Sequence, residues 1–315
     1  MKVALIDVDG HNHPNLALMR ISAYHKSLGH DVEWWESDVG HYDICYASKI
    51  FSRAYTKDVP PPHNCDTVIY GGTGYCISTV DGREVFDKSK NINLPPEIEK
   101  MRPDYSIYPQ YPFAIAMTSR GCPRQCSFCH VAAKEGCRSV KVADVSDFYC
   151  GQGHIDVLDP NITACKDKRD LFAQYIDTGA TIDFSQGLDI RLLNHDDIED
   201  INRMRVKTLH FAWDNPSDNL APRFAEFAKG FRRKSNIGMV YILTNFNSTM
   251  EENLHRIHTL AAMGYDPYVM VYDKPNAPAE IRALQRWCNN KIIFKSCSWA
   301  EYQNRHNLPG QTSLF

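Results

Sequence analysis

Three cysteines carry the clearest chemical signal in the sequence. Cys122, Cys126 and Cys129 lie in Thr118-Ser119-Arg120-Gly121-Cys122-Pro123-Arg124-Gln125-Cys126-Ser127-Phe128-Cys129, a C-x3-C-x2-C spacing. Three thiolates on one tight loop can hold three irons of a [4Fe–4S] cluster, because thiolate is the ligand such clusters take. The fourth iron then stays open, as a catalytic metal centre requires. Two simpler readings stay beside this one. A structural zinc ion could be closed by His130 or Cys137, although structural zinc loops usually come as two separated ligand pairs and no second pair is present. A closed iron–sulfur carrier would need a fourth thiolate nearby. The chain has 11 cysteines. Cys137, Cys150 and Cys165 follow the motif at wide spacing and suit either an auxiliary cluster or small buried positions. Cys45, Cys65, Cys76, Cys288 and Cys297 sit in or beside strand-like segments and read as core. The eight cysteines outside the motif are expected to need no pairing. Cys165 lies just after a strand end (LDPNITAC) and is also a candidate thiol donor or radical partner.

The elements around this loop alternate between strand and helix. Strands are expected at Lys2–Val8, Asp31–Trp35, Asp43–Ala47 and Asp66–Tyr70, with a helix over Pro14–Leu28 closed by Gly29. A Pro- and Tyr-rich stretch then reads as an irregular connector held down by aromatics. After it the alternation resumes. Strands are expected at Ala114–Ser119, Ile155–Leu158, Thr181–Ser185, Thr208–Trp213, Gly238–Leu243 and Tyr268–Tyr272. Helices are expected over Lys168–Thr178, Asp196–Met204, Ala221–Lys229, Thr249–Met263 and Ala279–Asn289. The fold class is therefore α/β: a (β/α)6 partial TIM-type barrel preceded by a small Rossmann-like α/β domain. The boundaries read as residues 1–92 for the small domain, 93–112 for the connector, 113–290 for the barrel and 291–315 for a C-terminal extension containing a strand-like KIIFKS. In such sheets chemistry sits at the carboxyl ends of the strands, and the cysteine loop leaves one of them.

With that strand context, the motif resembles the radical S-adenosylmethionine (radical SAM) superfamily. Cys122, Cys126 and Cys129 match its cluster ligands, and Phe128 stands where the family usually has an aromatic. The resemblance implies that SAM chelates the open iron through its amine and carboxylate. Reduction then cleaves it to methionine and a 5′-deoxyadenosyl radical, which abstracts hydrogen from a substrate. It also implies cofactor contacts at successive strand ends. Asp159 and Asn161 occupy the position that touches the methionyl amine, in a D-x-N form similar to members with a cobalamin-binding-like N-terminal domain. Gln186, Asp189 and Arg191 could meet the ribose and the SAM carboxylate, or Asp189 and Arg191 could form a local salt bridge. Asp214 could face substrate as a catalytic group, or cap the following helix. For Tyr241, Asn245, Tyr272 and Asp273, packing or capping is preferred to lining the cavity.

The order of domains resembles the subgroup with a cobalamin-binding-like N-terminal region, on IDVDGHNHPNLALMRISAYHKSLGHDVEWW and IYGGTGY. The D-x-H-x-x-G signature is absent and the unit is short, so bound cobalamin is disfavoured; His11 and His13 read as loop or capping residues. Radical H-abstraction is preferred to cobalamin-dependent methyl transfer. From another class, a non-catalytic iron–sulfur or zinc protein remains.

Charge nearly cancels, with 35 basic and 38 acidic residues and a net −3, which argues against a protein that coats nucleic acid or membrane. The basic Lys229–Lys234 reads as a solvated helix end, and the short tail disfavours a tRNA methylthiotransferase. No 18-residue apolar run and no signal peptide is read, so a cytoplasmic location is expected. The expected partners are a small-molecule or peptide substrate and an electron donor such as flavodoxin or ferredoxin.

Overall fold

The computed structural model describes residues 1–38, 40–80, 83–233 and 237–306. The chain divides into two compact units, residues 1–180 and 181–315. Both are α/β with parallel sheets.

The first unit opens with a four-stranded parallel sheet of β1 (Lys2–Asp7), β2 (Asp31–Trp34), β3 (Tyr42–Ser48) and β4 (Cys65–Gly71), in the order β2-β1-β3-β4. Helix α1 (Leu16–Ser27) crosses from β1 to β2. Its start is set by Asn15, whose side chain accepts the Leu18 N–H, and its buried Leu18 and Ile21 pack on Leu5. A hairpin not expected from the sequence follows, β5 (Ile77–Val80) and β6 (Arg83–Phe86). One correction concerns the cysteines. Cys45 on β3 and Cys65 on β4 form a disulfide, with Cα atoms 6.4 Å apart, so two of the eight outside the motif are paired.

The Pro/Tyr stretch is held down by its tyrosines. It carries a short helix α2 (Pro96–Glu99), and its tyrosine hydroxyls reach into the unit. Tyr108 donates to Asp7 at 2.7 Å and Tyr111 to the His11 carbonyl at 2.7 Å. Tyr105 accepts the Ile115 N–H and donates to the Phe148 carbonyl at 2.9 Å.

Next comes β7 (Ala114–Ala116), paired in parallel with β10 (His154–Val157). Between them lie β8 (Ser119–Arg120), helix α3 (Val131–Glu135) and β9 (Val140–Lys141), with β8 and β9 antiparallel. The expected single strand Ala114–Ser119 thus breaks before Ser119. The cause is a tertiary contact: the N–H groups of Thr118 and Ser119 donate to the Asp159 carboxylate instead of a neighbouring strand. Helix α4 (Lys168–Thr178) closes the unit, with Gly179 left-handed at its end.

The second unit repeats strand and helix. Strand β11 (Thr181–Asp183) pairs in parallel with β12 (Arg205–Val206), with α5 (His195–Arg203) between them. Strands β13 (His210–Ala212), β14 (Met239–Thr244) and β15 (Asp266–Val271) form a parallel sheet in chain order. Helices α6 (Ala221–Gly230), α7 (Met250–Ala262) and α8 (Ala279–Asn289) alternate with them. Phe211 of β13 meets Phe224 and Phe227 of α6 edge-on at 6.0 and 5.1 Å, so this face of the sheet is the packed one.

KIIFKS is a second correction. It forms helix α9 (Lys291–Ser296), followed by α10 (Trp299–His306). The Asn290 side chain accepts the N–H groups of Ile292 and Ile293, which starts a helix, and Ile292 is 82% exposed, with no sheet to join. Of the expected tail, residues 307–315 lie outside the described residues, as does Lys234 of the basic patch. In the rest of that patch Arg232 pairs with Glu199 and Arg233 donates to the Val206 carbonyl, so these cations serve the end of α5. No described helix is long and apolar enough to cross a membrane.

Candidate metal centre

The cysteine loop leaves β8 and returns through α3 and β9. Gly121 makes the entry possible. Its φ is +87°, and a Cβ there would stand 2.1 Å from the Arg138 carbonyl oxygen, so entry and exit of the loop touch backbone to backbone. The Cys122 N–H donates to the Gly136 carbonyl at 3.1 Å, and the Gly121 N–H to Glu135 at 3.3 Å. Within the loop the Cys129 N–H turns back to the Cys126 carbonyl at 2.9 Å, and Gln125 is left-handed at φ 47°. Cys122 and Cys126 are half-buried and Cys129 is exposed.

Charges brace the loop on one side. Arg120 donates to Glu99 at 2.8 Å and lies 3.6 Å from Glu135; Arg20 donates to the same Glu99 oxygen at 2.6 Å. Helix α2 in the connector is thereby tied to the residue two positions before Cys122. Lys134 donates to Thr73 at 2.8 Å, and burial lowers its pKa.

The donor set tests the metal. Among the described residues, no three of Cys122, Cys126, Cys129, His130 and Cys137 bring ligand atoms within 4.8 Å of one another. Ligands of one tetrahedral zinc lie about 3.8 Å apart, given Zn–S bonds near 2.3 Å. His130 instead faces Glu84 at 3.7 Å, and Cys137 is exposed. Three thiols on one glycine-pinned loop match the donor type and number that an open-sited [4Fe–4S] cluster takes.

Behind the loop, Asp159 and Asn161 follow β10. Asp159 is 2% exposed and accepts from the Thr118 N–H at 2.7 Å, the Thr118 hydroxyl at 2.8 Å and the Ser119 N–H at 2.6 Å. Burial pushes its carboxyl up to about 6, and these hydrogen bonds limit the rise. Both residues, expected at the SAM amine, also hydrogen-bond within the chain. Asn161 holds the turn Ile162–Ala164 through its side-chain oxygen, and its amide nitrogen lies 3.5 Å from the Cys122 sulfur. Phe128, half-buried, sits within the loop itself.

In the second unit, Arg191 donates to Asp189 at 2.7 Å and to Asp218 at 2.9 Å, which is the local salt bridge rather than an open guanidinium. Gln186 is exposed. Asp214 ends β13 and does not cap α6, whose N-cap is Leu220. Burial pushes its carboxyl up to about 6, opposed by the Leu243 N–H, Arg256 and Arg191. Cys165, the candidate thiol donor or radical partner, is 2% exposed, and burial raises its pKa. Asn245 donates to the Tyr272 carbonyl at 2.8 Å, and Tyr272 packs on Phe246. Asp273 is left-handed at φ 46° and accepts from Asn276.

Sequence reasoning missed two arrangements. Arg256 of α7 is 1% exposed, and its guanidinium donates to the carbonyls of Trp213 at 2.6 Å, Asp214 at 3.0 Å and Leu243 at 3.1 Å. It holds the carboxyl ends of β13 and β14, and with them Asp214. His210 lies 3.1 Å from Asp183 and 2.9 Å from the Tyr241 hydroxyl, a chain across three strands. Neither is local in sequence, so no spacing could show it.

The comparisons with known proteins bear on the frame around these residues. The structure matches that of the radical S-adenosylmethionine methyltransferase TsrM from Kitasatospora setae, solved with cobalamin and a [4Fe–4S] cluster bound. The TM-score is 0.61, over 86% of this chain and 74% of that one, at 10% identity. This chain has a radical SAM fold. No protein-family model matches the sequence, and no curated protein does.

Proposed function

We propose that the chain is a radical SAM enzyme that carries a [4Fe–4S] cluster on Cys122, Cys126 and Cys129 and abstracts hydrogen from a small-molecule or peptide substrate. The observation that carries this is the C-x3-C-x2-C loop, pinned by Gly121 just after β8, in a chain with this fold. When bound, the cluster and SAM together supply a 5′-deoxyadenosyl radical. The residues of this chain do the rest. Gly121 and the Asp159 clamp fix where Cys122 stands. Arg120, paired with Glu99 and Glu135, ties helix α2 to the start of the loop. Asp214, held by Arg256, offers a carboxyl that is about a tenth protonated at neutral pH, given a value near 6. Arg191 could meet the SAM carboxylate only by sharing a guanidinium already engaged by two aspartates, so Gln186 and Asp189 belong to the same proposal.

The finer architecture belongs to this reading too: residues 113–290 as a (β/α)6 partial barrel, residues 1–92 as a Rossmann-like domain, and a flavodoxin or ferredoxin as electron donor in the cytoplasm. The test is anaerobic reconstitution followed by dithionite and SAM. About four irons per chain and formation of 5′-deoxyadenosine are expected; a colourless protein with one zinc would sink the proposal.

A second reading, cobalamin-dependent methyl transfer, is favoured by the corrinoid in the matched structure. It raises cobalamin above its standing in the sequence. It must accommodate a tight carboxyl edge on the N-terminal sheet. There the Asp9 carboxylate accepts the Ile50 N–H, and a Cβ on Gly72 or Gly74 would stand 2.2 Å from the carbonyl oxygen of Lys49 or Phe51. These glycines serve the chain's own loops. His11 packs on Trp34, and His13 lies 3.7 Å from Asp156.

A further inference from the structure

The segment Asp159-Pro160-Asn161 lies against both ends of the cysteine loop. Asp159 takes up three donors from Thr118 and Ser119, just before the loop. The Asn161 carbonyl accepts the Ser139 hydroxyl at 2.8 Å, just after it. The Asn161 side chain faces the loop itself. Its Oδ1 accepts from the Thr163 hydroxyl at 2.7 Å and the Ala164 N–H at 3.2 Å, which fixes the orientation of the amide. Nδ2 must then point the other way, and it reaches the Cys122 Sγ at 3.5 Å, hydrogen-bond distance for sulfur. Asn161 is 4% exposed, so water does not compete for that donor.

We propose that Asn161 is a positioning residue for the metal centre: its amide donates an N–H···S bond to Cys122 and raises the reduction potential of the cluster that Cys122 binds. Asp159 is its companion, and holds the backbone that carries Cys122 in place. The proposal rests on the cluster reading above, and it replaces the expected contact of these two residues with SAM. The physical reason is charge. Reduction adds an electron to a cluster whose negative charge is shared by its thiolate sulfurs. A hydrogen bond to one sulfur stabilises the more negative state, and hydrogen bonds to sulfur are among the levers that set such potentials. The cost of losing it is raised by burial, where no solvent replaces the donor.

Asn161→Asp is the informative variant. It keeps the size and the Oδ1 that holds the Ile162–Ala164 turn, and it puts an oxygen where the N–H stood. Asn161→Ala removes donor and turn contact together. An EPR-monitored redox titration of the reconstituted holoprotein is expected to give a lower midpoint potential in both, lower in Asp than in Ala. Iron content should stay near wild type, and the SAM dissociation constant, read from its perturbation of the EPR signal, should stay within about twofold. An unmoved potential with SAM binding weakened tenfold or more would make Asn161 a ligand contact and overturn the proposal. Loss of iron uptake in a folded Asn161→Asp would overturn it too, by making the residue purely structural. A measurement without any variant decides the case if neither folds. In wild type labelled with 15N at the asparagine amide, pulsed EPR of the reduced cluster should resolve a 15N coupling, and its absence overturns the bond. A wild-type chain that takes up no iron overturns the function reading as well, and so separates the two failures.

Discussion

At the scale of single residues, two buried ionisable groups in the second unit set expectations that do not depend on any cofactor. The carboxyl of Asp214 is raised by burial from 3.8 to about 6. The folded chain therefore holds a proton there more readily than the unfolded chain between about pH 4 and pH 6. Its contribution to stability is fully present below pH 4 and is lost as pH rises through 6, the reverse of an ordinary ion-paired carboxylate. Asp214→Asn should flatten the fall in stability over that window, read as the difference in urea midpoints between variant and wild type at successive pH values. Parallel midpoint curves would show that Asp214 is not raised. Arg256 is the second group. Burial lowers its pKa to about 10, yet its donors satisfy four backbone carbonyls and Asn253. Arg256→Met leaves the acceptors on Trp213, Asp214 and Leu243 buried and unpaired, and should cost at least ~2 kcal/mol in chemical denaturation. A variant as stable as wild type would mean that water replaces the guanidinium.

The element scale explains how the cysteine loop keeps its shape. Gly121 combines a positive φ with a backbone contact that leaves no room for a methyl group. Gly29 also has a positive φ, at the end of α1, but nothing lies within 4 Å of where its Cβ would be. Gly29→Ala should therefore cost only the conformational penalty of ~1 kcal/mol, while Gly121→Ala must also part the loop from Arg138. The expected outcome is near-normal iron uptake in the first and a severe loss in the second, measured as iron per folded chain after reconstitution. Equal uptake would show that the loop tolerates opening. The same scale marks where sequence reading works. Helices α4 and α8 have the expected bounds, because apolar spacing and a closing glycine or asparagine are local signals. The strand at 114–119 was legible, but its break was not, since the acceptor that causes it is Asp159, forty residues on. KIIFKS has strand-like composition and becomes a helix because Asn290 caps it. Arg256 reads as a surface cation on an amphipathic helix, and only the carbonyls of two other strands explain its burial. At the site, residue types and spacing single out the cysteines as candidates, but not the side chains that hold their loop.

At the scale of the whole molecule, the question is which chemistry the radical SAM fold serves. The matched enzyme binds a corrinoid as well as a cluster, and the N-terminal sheet of this chain, in the order β2-β1-β3-β4, has the parallel form that could present one at its carboxyl edge. The loops at that edge, however, are engaged with each other. Lys49, 1% exposed, donates to Asp58 and lies over the Tyr75 ring, and the Gly74 N–H donates to the Lys49 carbonyl at 2.9 Å. Admitting a corrinoid would mean separating Gly72 and Gly74 from the backbone of Lys49 and Phe51, and exposing a buried ammonium. The reconstituted protein, incubated with hydroxocobalamin and desalted, is therefore expected to keep its cluster absorbance and lose the corrinoid bands. Lys49→Ala should loosen the edge and lower stability without altering iron content. Stoichiometric corrinoid after desalting, with Lys49→Ala changing its retention, would reverse the order of the two functions. The sheet edge would then be a binding surface that opens, and methyl transfer would become the leading reading.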